Sequence, residues 1–442
     1  MPVTTAENRS GNPVLLVVGT RPEAIKMLPV IRVMRAHHRI DPIVVSTGQH
    51  AELVADVLGL AGIRPDVTLD LPVEGRTLNS LVAGVLTGLE AFIHSEYGRF
   101  EPTGFGLPPA GYPLACFVHG DTSSAAAAAL AAFHLKIPVA HVEAGLRTSD
   151  TLSPYPEELN RQLISRIAAL HFAPTPMNEE NLIRERVRAG KVFVTGNTAI
   201  DALRWASTLR VPYEQPELAE LEHDQVSRVI VVTAHRRENW DGGIARIAAA
   251  VSTLAERYPA VRFVVSLHPN PAVGDVLRGA LSGIDNVSLV QPMDYLSFAR
   301  LLDRAYLAIT DSGGVQEEAP SLGTPVLVTR DKTERQEGVD AGTVELVGTD
   351  VERIVAAATR LLDSPMLYAR RASRSNPFGD GAAAERIVKA YEHIAFGSAP
   401  PAPFGSGIER LEVLRAAGYA EDPALDVVLP SASRLVGEAD NG

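Results

Sequence analysis

The chain has 442 residues, 46% of them apolar and 21% charged, which is too long for one ordinary core and fits a soluble protein of two domains. A formal charge of −12 without a long basic stripe excludes a general nucleic-acid binder, although Arg21/Lys26 and His235-Arg236-Arg237 can still form a local positive pocket. Cys116 is the single cysteine, which excludes an intrachain disulfide and a cysteine-cluster metal site; inside an apolar run it reads as an inert core thiol.

Met1–Pro13 is polar and lacks the apolar stretch of a signal peptide. The alanine-rich run Ala125–Phe133 falls well short of the roughly 20 residues of a bilayer span, so no membrane attachment and a cytoplasmic location are expected. Strand-like runs near Val14, Ile43, Ala115, Val139, His171 and Val192 alternate with helical segments at Ala24–Arg35, Ala51–Leu58, Leu78–His94, Ser123–Phe133, Glu157–Ala168 and Asn178–Val187. The second half repeats the pattern, with strands near Val229, Arg262, Val287, Leu307, Val326 and Val344. Its helices are expected at Ile244–Arg257, Val273–Leu281, Tyr295–Leu302, Val315–Leu322 and Val351–Leu362. Such alternation marks βαβ units, hence an α/β protein of two Rossmann-like, doubly wound domains facing a central cleft. We place the first domain at 13–208, completed by 378–396, and the second at 209–377. The joint falls between Thr208 and Arg228, where Pro212 and Pro216 interrupt the pattern. Residues 98–113 read as a surface insertion. The tail 397–442 reads as partly disordered, with Ile408–Ala417 as a short docking helix.

Five polar motifs stand directly behind strand-like runs: GTRPEAIK (Gly19–Lys26), HGDTSSA (His119–Ala125), HVEAGLRT (His141–Thr148), TAHRREN (Thr233–Asn239) and TDSGGVQEEA (Thr310–Ala319). In open parallel sheets ligands sit outside the carboxyl ends of the strands, so these motifs point into a crevice and toward an anionic ligand. Asp311-Ser312-Gly313-Gly314, a strand end opening into a helix, offers backbone N–H groups to an anion, and Glu318 one turn on suits a diol such as ribose. The plainer alternative is a capped helix with glycines for packing. Arg21 and Lys26 oppose the dipole of the first helix, a placement that makes sense beside an anion. Neither GxGxxG nor GxxxxGK[ST] occurs. Asp121, Glu143, Glu157 and His235 can divide into acids and bases if burial separates their pKa values. Each has a structural alternative: Asp121 as the cap of the Ser123 helix, Glu157 as a first-turn acid, His235 as a partner of Glu238. His119, His141, His235 and His268 lack metal-ligand spacing, and no metal is expected.

Together the segments GTRPEAIK, VHGDTSSA, HVEAGLRT, SPYPEELNR, GNTAIDAL, HRREN, DSGGVQEEAPSLGTPVLV and TERQEGVDAGT, spread over Val14–Glu392, resemble the non-hydrolysing UDP-N-acetylglucosamine 2-epimerases. The resemblance implies the GT-B fold, with a C-terminal helix returning to the first domain. It also implies interconversion of UDP-GlcNAc and UDP-ManNAc without a cofactor, by anti elimination of UDP and syn re-addition through 2-acetamidoglucal. It assigns catalysis to Asp121, Glu143, Glu157 and His235. Substrate binding falls to Arg21, Lys26, Phe298, Ser312, Gly313, Gly314, Glu318 and Arg335, with Phe298 as an apolar wall near uracil. Gln49, Arg76, Arg236 and His268 match positions of an allosteric substrate site, but Ala51 and Glu52 depart from that pattern, and a carboxylate at 52 would repel diphosphate. Met293 stands where many members have glutamine. The expected partners are the UDP-sugars and a second copy in a homodimer, with no nucleic acid and no membrane. The rival readings are a hydrolysing epimerase releasing ManNAc, a GT-B glycosyltransferase and a UDP-sugar sensor without turnover.

Overall fold

Short apolar runs become parallel strands buried on both faces, which is why they read as continuous Val/Ile/Leu stretches rather than alternating ones. The computed structural model describes residues 11–71, 77–100, 109–148, 150–224 and 226–405. Arg76 and Ile408–Ala417 lie outside these residues, as does part of the 98–113 insertion. The described residues form two compact units, Ala199–Gly381 being the second and residues 382–405 belonging with the first.

The first unit holds a seven-stranded sheet of β1 (Asn12–Val18), β2 (Ile40–Ser46), β3 (Val67–Thr68), β4 (Ala115–His119), β5 (Val139–Val142), β6 (Leu170–Ala173) and β7 (Val192–Val194). Its order is β3-β2-β1-β4-β5-β6-β7, all parallel, with Leu16 opposite Phe117 and Cys116 opposite Val139. Cys116 is fully buried, and burial pushes its thiol up to about 12. The alanine-rich helix Ser123–His134 lets its small side chains bring the backbone close to the sheet, and nearly every one of them is buried. The last helix, Ala383–Phe396, closes the unit. Tyr391 meets Phe117 edge-on at 5.3 Å, and Glu392 pairs with His37 at 2.9 Å just beyond the first helix.

The second unit carries β8 (Arg228–Thr233), β9 (Val261–Ser266), β10 (Val287–Val290), β11 (Leu307–Thr310), β12 (Val326–Val328) and β13 (Val344–Leu346), parallel in the order β10-β9-β8-β11-β12-β13. Helices Gly243–Arg257 and Val351–Asp363 bury strongly amphipathic faces against Ile230, Phe263 and Leu327. The protein is therefore α/β with two doubly wound units, and the terminal helix returns to the first.

Several boundaries differ from the periodicity for local reasons. The first helix starts at Arg21, not Ala24, because Thr20 and Glu23 form a capping box and Pro22 tolerates the first turn. The segment Val315–Leu322 is a short helix, Gly313–Glu318, followed by a 3-10 turn, Ala319–Leu322, containing Pro320. Helices Gln336–Ala341 and Pro365–Ala372 carry too few buried apolar positions to announce themselves by periodicity.

Candidate functional site

In each unit the strand order reverses at one place, and a crevice opens there beyond the strand ends. In the first unit that place lies between β1 and β4, where Gly19-Thr20 and Gly120-Asp121 leave the sheet. The buried Glu23 carboxylate joins the two turns. It accepts from Gly19 N (3.1 Å), Thr20 N (2.7 Å), Thr20 Oγ1 (2.8 Å) and Thr122 Oγ1 (2.7 Å). Burial raises its pKa, and these four bonds oppose the rise.

Around that anchor the carboxylates assemble. Lys26, one turn into the helix, forms an ion pair with Glu143, so the anion facing this cation is the protein's own. Glu143 directly follows β5 at a φ of 64°, a left-handed conformation that costs a non-glycine residue energy and is typical of functional turns. Asn197 donates to the same carboxylate at 3.2 Å, and His119 Nε2 stands 3.8 Å from its other oxygen. Burial pushes the His119 imidazole down to about 4, so it is neutral at neutral pH. Asp121 does not cap the following helix; Thr122 does, accepting from Ala125 N at 3.0 Å. Asp121 pairs instead with Arg161 Nη2 at 2.6 Å, and Arg161 reaches the buried Glu158 at 3.0 Å. Burial raises the Asp121 pKa, Arg161 opposes this, and the Glu143 charge adds to the rise.

The remaining predicted residues of this unit are less engaged. Glu157 begins the Glu157–Ile167 helix, with Oε2 buried and unbonded among the described residues. Arg21 is half-buried at the first position of its helix. Gln49 accepts from Ser124 Oγ at 2.7 Å beside the same crevice.

In the second unit the reversal lies between β8 and β11, and a cavity of about 360 Å³ opens there. His235, His268, Phe298, Ser312, Gly314 and Glu318 line it with Thr233, Pro269 and Val315. His235 does not pair with Glu238, which is held by Arg330 at 2.5 Å. Its Nδ1 stands 3.1 Å from the fully buried Asp311. Gly313 brings two guanidinium groups to the turn: a Cβ there would meet Arg335 at 2.9 Å and Arg236 at 3.2 Å. Arg335 is in turn held by Glu317 at 2.8 Å and by Glu334. Met293 packs at the edge of the apolar cluster that includes Phe298. Among the described residues no group of three or more His, Cys, Asp or Glu is gathered for a metal, and no helix is long and apolar enough to cross a membrane.

Sequence reasoning missed Glu23, Arg161, Asn197 and the role of Asp311 as a hub. Only Glu23 carried a local signal, the Thr20-x-x-Glu23 capping box.

The family model for UDP-N-acetylglucosamine 2-epimerase matches residues 32–392. The chain belongs to the UDP-N-acetylglucosamine 2-epimerase family. A Yersinia pestis protein named UDP-N-acetylglucosamine 2-epimerase is 45% identical over 384 residues, covering 86% of this chain and 98% of that one. Among solved structures, a Listeria monocytogenes member of this family, described as a UDP-N-acetylglucosamine 2-epimerase, aligns with a TM-score of 0.81 at 39% identity. That alignment covers 89% of this chain and 99% of the other. The Neisseria meningitidis UDP-GlcNAc 2-epimerase, solved bound to UDP-GlcNAc, aligns with a TM-score of 0.72 at 42% identity, covering 86% and 99%.

Proposed function

We propose that the protein interconverts UDP-GlcNAc and UDP-ManNAc by eliminating UDP and adding it back to a 2-acetamidoglucal intermediate. The observation that carries the reading is the unequal carboxylate pair at the first crevice. Glu143 is pinned by Lys26 and Asn197, while the pKa of Asp121 is raised by burial and by the Glu143 charge. The C2 hydrogen of the sugar is not acidic, so its removal needs a positioned base of more than ordinary carboxylate strength, and a raised pKa supplies that. Asp121 takes or returns the C2 proton, Lys26 and Arg161 keep the neighbouring charges in register, and the unbonded Oε2 of Glu157 is a second candidate for proton traffic. The cavity of the second unit takes the uridine diphosphate. Phe298 forms an apolar wall there, Glu318 receives the ribose hydroxyls, and the first-turn N–H groups of Gly313 and Gly314 with Arg335 face the phosphates.

The reaction is followed by NMR of the anomeric protons after adding UDP-GlcNAc in D2O. The expected result is UDP-ManNAc at equilibrium with deuterium at C2 of both sugars. Accumulation of free ManNAc and UDP would instead identify a hydrolysing enzyme. Turnover that waits for an acceptor would identify a transferase, and UDP binding without C2 exchange would identify a sensor.

A further inference from the structure

Asp311 directly follows β11, and its carboxylate is completely buried with no lysine or arginine paired to it among the described residues. A buried charge is tolerated only where hydrogen bonds or an opposite charge replace water. Here Oδ2 accepts from His235 N, Arg236 N and Asn239 Nδ2, each at 2.9 Å. The other oxygen, Oδ1, stands 3.1 Å from His235 Nδ1. A carboxylate can only accept, so a bond across this distance requires the His235 hydrogen on Nδ1, which leaves Nε2 to the cavity. The neighbouring His268 has the opposite arrangement. Its Nδ1 accepts from Asn270 N at 3.1 Å, which puts the hydrogen on Nε2, and the two rings stack 6.2 Å apart at 9°. One imidazole therefore offers the cavity a fixed donor, whereas the other becomes a donor only when protonated.

The geometry points to Asp311 as a positioning residue that locks His235 in its Nδ1–H form and stabilises the imidazolium whose Nε2–H faces the leaving diphosphate. This rests on the cavity being the site of the UDP moiety. As the C1–O bond breaks, its electron pair goes to the β-phosphate oxygen, and the imidazolium meets that charge with a hydrogen bond. No proton passes to Asp311. Burial, the largest influence, with Arg236 and His268 holds the His235 pKa below its ordinary value, and Asp311 is the group that opposes this by favouring the imidazolium.

Asp311→Asn preserves shape and the acceptor for the backbone N–H groups, but its amide N–H faces His235 Nδ1 and favours the other tautomer. The expected result is a kcat about 10²-fold or more below the parent, with KM for UDP-GlcNAc within about threefold. The basic limb of the kcat–pH profile, where the imidazolium is lost, moves to lower pH by about one unit. Nitrogen-15 NMR of the UDP-bound protein is expected to show His235 protonated at Nδ1 in the parent and at Nε2 in the variant. A parent protein whose neutral His235 carries its single hydrogen on Nε2, with Nδ1 bare, overturns the proposal without any variant being made. So does a variant whose loss lies only in KM or thermal stability, with pH limb and tautomer unmoved. The tautomer is read with UDP alone, so failure of the epimerase reading and failure of the Asp311 role are separate outcomes.

Discussion

The two units share a topology and put it to opposite electrostatic use. At the first crevice, carboxylates and cations are packed into direct contact: Lys26 with Glu143, Arg161 with Asp121 and Glu158, and four donors on Glu23. At the second, the fully buried Asp311 is withdrawn behind the wall, and the cavity itself presents imidazoles, a phenyl ring, a glycine turn and one carboxylate, Glu318. Crowded charges shift one another's proton affinity, which suits proton transfer. An open wall of donors suits holding an anion whose charge grows during reaction. On the proposed function, the same strand reversal yields a reactive corner or a receiving one, depending on whether the residues after the strands oppose each other or face outward.

That contrast breaks first, and most severely, at Asp121. Asp121→Asn is expected to lower kcat about 10³-fold while UDP binding is retained, measured by C2 deuterium exchange beside calorimetric titration. Equal losses in both would remove the distinction between the units. Glu143→Gln is expected to cost about 10²-fold in kcat. Because the Glu143 charge raises the Asp121 pKa, the acid limb of the pH–rate profile should also move to lower pH; a shift upward would contradict the arrangement. At the receiving corner, Gly313→Ala pushes the Arg335 and Arg236 guanidinium groups aside. UDP affinity is expected to fall about tenfold, roughly 1.4 kcal/mol, with C2 chemistry at saturation little changed.

The effect furthest from turnover concerns stability. His119, His141 and His171 lie on adjacent strands of the first unit, and burial pushes them down to about 4, 4 and 3 from 6.5. With folded pKa values below the unfolded one, the unfolded chain binds more protons on acidification. Their stabilisation is complete above about pH 6.5 and is lost as pH falls toward 4 and then 3, on the order of 3 to 5 kcal/mol each at most. Calorimetry from pH 7 to 4.5 should show a falling Tm, and His171→Asn should flatten the slope. An unchanged slope would mean that these imidazoles are already protonated in the fold.

The strands were legible because buried parallel strands are continuous apolar runs, and the motif after each run fell at a strand end; the strand order, and with it the place of each reversal, was not. Caps were partly legible: Thr20 and Glu23 match a known spacing, yet the helix start was placed three residues late. What was not legible is who pairs with whom. Arg161 lies 40 positions from Asp121, Asn197 lies 54 from Glu143, and the fold alone brings each pair together. His235 was weighed against Glu238, its neighbour in sequence, although the partner it meets is Asp311, 76 positions away. Local pattern specifies where polar residues emerge from a sheet, but charge pairing is decided after the strands have been ordered.

Cys116 has a practical consequence for anyone who wants to watch this molecule move. A thiol sealed within β4 and held as the protonated form is silent toward maleimides and nitroxide reagents at neutral pH. A cysteine introduced at an exposed site such as Leu152 would therefore carry a fluorophore or spin label alone, with no need to strip the background first.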